Sequence, residues 1–149
     1  MRIAGGVVLH RDFLRISFAL TVLMLSWQND GRLASQSRTP MKLPNTDLAE
    51  ITESKLRDYL LSKDHPVGRF KAAFFARLGY SQESWRRLET DIRRLLSGDA
   101  EEVGSSEYGR KFLVRGTLNG PAGRANVITA WILLNGEQRP RLITAYPED

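Results

Sequence analysis

Lys111-Phe112-Leu113-Val114-Arg115-Gly116-Thr117-Leu118 is where the apolar period of this chain has changed from 3.6 to 2. Phe112, Val114 and Leu118 fall on one face of an extended segment, because successive side chains of a strand point to opposite sides. Asn119-Gly120-Pro121-Ala122-Gly123 reads as a turn. Arg124 to Leu134 follows as a strand that is apolar on both faces from Val127 onward. Asn135-Gly136 begins the next turn, and Arg141 to Tyr146 is the closing strand. Glu101 to Val103 is a candidate for a short edge strand.

Upstream of Gly98 the pattern is helical. Thr52 is placed to cap a short helix to about Ser62, with Leu56, Tyr59 and Leu60 on one face. Lys63-Asp64-His65-Pro66 breaks it and starts a second helix, with Pro66 at the first helical position and Gly79 as the left-handed cap. Ser81 opens a third, to about Ser97, whose Trp85, Leu88, Ile92, Leu95 and Leu96 form a 3.6-period stripe. Its arginines fall into i,i+4 pairs (Glu83–Arg87, Arg87–Asp91, Glu89–Arg93), so this face reads as solvated and charge-laced. The fold class is therefore α+β: three N-terminal helices followed by a three- to four-stranded antiparallel sheet.

The 149 residues suffice for one domain with a core. Apolar residues make up 42% and charged residues 26%, ordinary values for a folded soluble chain. The absence of cysteine removes disulfides, thiolate nucleophiles and zinc-thiolate sites, and suits a reducing, cytoplasmic setting. With two histidines and no close His/Asp/Glu cluster, neither a metal site nor a cofactor is expected. The net charge of +5 is uneven: residues 1–40 carry five Arg against two Asp, leaving residues 41–149 only mildly basic. Nucleic-acid binding must then rest on where charges cluster.

Residues 1–40 read differently from the rest. Ile16 to Leu25 is an apolar run preceded by Arg2, Arg11 and Arg15. It is short for a transmembrane helix, which needs roughly 20 apolar residues, yet of h-region length. No small-x-small pair closes it. Three readings stand: a spurious or disordered extension ahead of a true start at Met41, a signal or anchor over residues 11–27, and a real helix. Residues 36–46 are polar and proline-punctuated, a linker by composition. The expected organisation is an extension over 1–40 and a single α+β domain over 41–149, with no stable membrane partner.

In His65-Pro66-Val67-Gly68-Arg69-Phe70-Lys71 one residue is out of place. At about 100° per residue, Lys71 lies among Val67, Phe74, Phe75 and Leu78, in the middle of an apolar face, while Arg69 points away. A lysine is almost never buried without a partner. Helix N–H groups, Lys71 and His65 together read as an anion site.

Several stretches resemble, in order and spacing, a bacterial family catalogued as domain of unknown function 6883. They are Met41-Lys42-Leu43-Pro44-Asn45, Lys55-Leu56-Arg57-Asp58-Tyr59-Leu60-Leu61, the His-Pro-x-Gly-x-x-Lys-Ala segment, Glu107-Tyr108-Gly109, Gly120-Pro121-Ala122-Gly123-Arg124 and Arg141-Leu142-Ile143-Thr144-Ala145-Tyr146. The resemblance covers about residues 41–147. The layout and the His…Lys segment are also similar to C-terminal toxin domains of bacterial competition systems, in which helices precede a four-stranded sheet as in barnase, colicin and RelE-like ribonucleases. That second likeness implies metal-free RNA cleavage, with RNA as substrate and a small immunity or antitoxin protein as partner. It gives His65 the proton transfer, Lys71 and Arg124 the phosphorane charge, and Thr144 or Tyr108 orientation, with Arg69 as a further anion contact. A second proton carrier is missing from this set. The alternative is a non-catalytic anion- or protein-binding module using the same pocket.

Overall fold

The computed structural model describes residues 40–148. The readings made for residues 1–39 fall outside the described residues. Among the described residues no helix is long and apolar enough to cross a membrane.

The domain is α+β. Four antiparallel strands, β1 (Ala100–Ser106), β2 (Gly109–Asn119), β3 (Arg124–Leu134) and β4 (Pro140–Pro147), form a meander in the order β1-β2-β3-β4. β1 is longer than the three-residue edge strand read from the sequence, and it carries an irregularity between Glu102 and Gly104. Val114 faces Thr129 and Phe112 faces Trp131 across β2 and β3. Phe112, Val114, Val127 and Trp131 are fully buried there, and Trp131 is core.

The helical half differs from its expected outline in three places. Ser54–Leu60 is a π-helix, closed by the i→i+5 bond from Leu61 N–H to the Leu56 carbonyl, and the Thr52 hydroxyl accepts from the Lys55 N–H as a cap would. The next helix, α1, spans Arg69–Arg77 rather than starting at Pro66. Its end is a Schellman cap: Gly79 has φ 93°, and the Tyr80 N–H reaches back to the Phe75 carbonyl. A short 3₁₀ turn opened by a Ser81/Ser84 capping box runs into α2 (Trp85–Leu95). The α2 face is not wholly solvated. Asp91 is buried and accepts hydrogen bonds from the Tyr80 hydroxyl (2.7 Å), Arg87 (2.9 Å) and Arg94 (2.9 Å).

The start of the domain is not a linker from residue 41 on. The Ala100 N–H donates to the Met41 carbonyl at the β1 edge. Glu50 makes a parallel bridge to Arg141 at the β4 edge. Residues 41–51 thus strap both open edges of the sheet and bury Leu43, Ala49 and Ile51. The Gly120-Pro121-Ala122-Gly123 turn also does more than reverse the chain. The Ala122 N–H donates to the Leu78 carbonyl, and a Cβ on Gly120 would strike that same oxygen, so the turn docks on the end of α1.

Candidate functional site

Tyr59 is the hub of the polar cluster around α1. In the π-helix it lies four residues after Lys55, whose Nζ sits 5.0 Å from the Tyr59 ring centroid. The His-Pro-x-Gly turn is stitched beneath this helix by Gly68, where a Cβ would collide with the Tyr59 carbonyl oxygen. Glycine is required there for close approach, since its φ of −75° is open to any residue. The turn then delivers the His65 ring edge-on to Tyr59, with centroids 5.0 Å apart. It also starts α1 so that Lys71 reaches back across the same ring, its Nζ 5.0 Å from the centroid.

The Lys71 ammonium donates to the Tyr59 hydroxyl (2.9 Å) and to Thr144 Oγ1 (2.7 Å). Thr144 is fully buried just after a bulge in β4, where Ala130 pairs with Thr144 but Trp131 pairs with Leu142. Such bulges re-aim side chains. Leu142 and Ala145 thereby join the main core while Thr144 serves the lysine. Among the described residues no carboxylate lies within ion-pair distance of Lys55 or Lys71. An ammonium has three donors, and Lys71 spends two on neutral hydroxyls. Burial, and secondly the Lys71 charge, push the Lys55 ammonium below a lysine's usual range. The cluster is positive and uncompensated.

His65 is half-buried and its Nδ1 is occupied. The N–H groups of Val67 (3.2 Å) and Gly68 (2.9 Å) both donate to it. That pattern puts the ring proton on Nε2, which becomes an N–H donor. An Nδ1 accepting two amide protons is not free to take one from a substrate, so this geometry leaves only Nε2 for the proton-transfer role read from the sequence. The histidine holds the turn as a cap.

Of the residues singled out in the sequence, His65, Lys71 and Thr144 come together around Tyr59. Arg69 starts α1 on an exposed face, with its guanidinium 4.9 Å from the Phe70 ring centroid. Tyr108 and Arg124 do not join. Tyr108 immediately precedes β2 and Arg124 pairs with its last residue, Asn119, so roughly 35 Å of strand separates them at about 3.3 Å per residue. Tyr108 is an exposed turn residue whose phenol is raised by its hydrogen bond to Glu107. The sequence reading missed Tyr59 and Lys55 as site residues. Their i,i+4 spacing was visible, but the meeting with His65 and Lys71 depends on the Gly68 contact.

The family model described as Domain of unknown function (DUF6883) matches residues 42–149, and the chain belongs to that family. Among curated proteins and among solved structures no match is found.

Proposed function

We propose that this domain is an oxyanion-binding module whose ligand carries a phosphate-type group. The observation that carries the reading is the Lys71 ammonium, held by the hydroxyls of Tyr59 and Thr144 without a carboxylate in reach. Lys55 stands over the same ring. A structural lysine in a half-buried place is normally paired. Here the remaining Lys71 donor, the Lys55 ammonium and the His65 Nε2–H supply charge and hydrogen bonds of one sign, which an anion would balance. Isothermal titration of inorganic phosphate into the full chain tests this. The expected result is saturable binding that weakens about ten- to a hundredfold in Lys71→Met, the loss of one charge-assisted contact. Equal affinity in the parent and in Lys71→Met overturns the reading.

A second reading, metal-independent RNA cleavage by a bacterial toxin domain of the cytoplasm, draws on the two lysines set against one ring, the Nζ of Lys55 and of Lys71 each 5.0 Å from the Tyr59 centroid, where burial and the Lys71 charge depress the Lys55 ammonium. In its neutral form that amine would take the 2′-hydroxyl proton as the 2′-oxygen attacks phosphorus, then return it to the departing 5′-oxygen, with Lys71 on the phosphorane charge. Lys55 would thus supply the second proton carrier that the sequence reading lacked. A small immunity or antitoxin protein would be the partner under this reading. RNA cleavage by the parent that Lys55→Met abolishes supports it; an intact substrate with the parent protein removes it and leaves the binding module.

A further inference from the structure

The α1 surface and the turn before it hold a second feature that the phosphate site does not use. Phe70 is 71% exposed and Val67 is 50% exposed, although the fold gains nothing from presenting either to water. From His65 to Arg77 the chain carries Arg69, Lys71 and Arg77 and no acidic residue. Two of these cations lie against aromatic rings of the same helix, Arg69 at 4.9 Å from the Phe70 centroid and Arg77 at 6.0 Å from that of Phe74. Guanidinium and ring side by side give flat, cationic surfaces on which a second flat group can stack.

Resting on the oxyanion reading, we propose that α1 extends the Lys71 site into a surface for single-stranded nucleic acid, with a nucleobase stacked on Phe70 beside a backbone phosphate held at Lys71. The chemistry favours this ligand over a protein partner. A protein interface centres on a contiguous apolar patch, whereas here one exposed ring and one valine stand among cations. Alternating phosphates and bases match alternating cations and rings, and stacking on an aromatic face tolerates any base because each has a π-face. A base paired in a duplex has no free face to offer, which makes strandedness part of the proposal.

Fluorescence anisotropy of the full chain with a labelled single-stranded RNA dodecamer, run beside inorganic phosphate titrations, tests it. Phe70 is mostly outside the core, so Phe70→Ala should fold like the parent. It is expected to weaken the dodecamer about five- to a hundredfold and to leave phosphate affinity unchanged, with Phe70→Trp restoring the strand. Lys71→Met should weaken both ligands. If Phe70→Ala binds the dodecamer like the parent while phosphate still titrates, the ring belongs to some other contact, such as a protein, and this proposal falls while the oxyanion site stands. If phosphate does not bind the parent, both fall. A duplex of the same sequence binding as tightly as the strand also overturns the stacking.

Discussion

Two tyrosine-centred networks lie in this domain, and they are opposites. Beside α2, the Tyr80 hydroxyl donates to Asp91, which also holds Arg87 and Arg94. Burial and that hydrogen bond raise the phenol well above its usual range. The carboxylate is buried, but each of its oxygens is met by an arginine, so the network is complete within the protein. Around α1, the Tyr59 hydroxyl accepts from Lys71, and a second lysine sits over the ring. There the charges are of one sign. A satisfied buried network reads as structure; a half-buried one whose charges are all of one sign reads as a place for an anion.

The contrast can be broken most severely at the joint that builds the second network. Gly68→Ala forces a methyl group against the Tyr59 carbonyl, backbone on backbone, and is expected to cost about 2–3 kcal/mol. Phosphate affinity should fall with it because Lys71 and His65 are carried by the same turn. Chemical denaturation measures the first and calorimetry the second; a variant as stable as its parent would show that the two segments are not pressed together. Next in size, Asp91→Ala removes a charged acceptor from Tyr80 and should destabilise by about 2 kcal/mol. Arg87 and Arg94 lose less, since both extend into solvent. Its phosphate affinity should not change.

His65→Ala should cost about 1 kcal/mol, the value of a lost helix cap. If any RNA cleavage is present it should survive, because Lys55 carries the proton in that reading; a fall of about 10²–10⁴ in rate at unchanged stability would place the proton transfer at His65 Nε2 instead. The smallest effect concerns pH. The Lys55 ammonium is depressed below 10.5, so the native protein releases that proton at lower pH than the unfolded chain does. Its penalty on folding is therefore fully present below the native value and is relieved as pH rises from there to 10.5. Denaturation midpoints across that alkaline window should rise in the parent relative to Lys55→Met; parallel curves would mean that Lys55 is not strained.

Much of the sheet could be read in advance because its information is local. The alternation at Phe112 and Val114, the double-sided apolar run from Val127 and the two turns each specify themselves within a few residues. What escaped reading depended on contacts far apart in the chain. β1 extends to Ser106 because β2 pairs with it, and residues 41–51 are ordered by the sheet edges they cover. Asp91 looked like a surface partner of Arg87 until Tyr80, eleven residues earlier, turned out to meet it. For the site, the oddity of Lys71 on an apolar face pointed to the right place. Its partners were not legible, since Thr144 reaches it through a β-bulge and Tyr59 through the Gly68 contact. Tyr108 and Arg124 were gathered by residue type, and the length of the β2–β3 ladder separates them.

The central claim is that charge left uncompensated around Tyr59 is a binding site, whereas charge balanced around Tyr80 is scaffold. Phosphate titrations and thermal melts of Lys71→Met and Asp91→Ala, taken together on the full chain, test it most directly. Lys71→Met should lose at least about tenfold in affinity and about 1–3 kcal/mol of stability, because the buried Thr144 hydroxyl loses its donor, whereas Asp91→Ala should lower the melting temperature with affinity intact. Lys71→Met matching the parent in phosphate binding, or Asp91→Ala losing phosphate affinity as Lys71→Met does, would contradict the account.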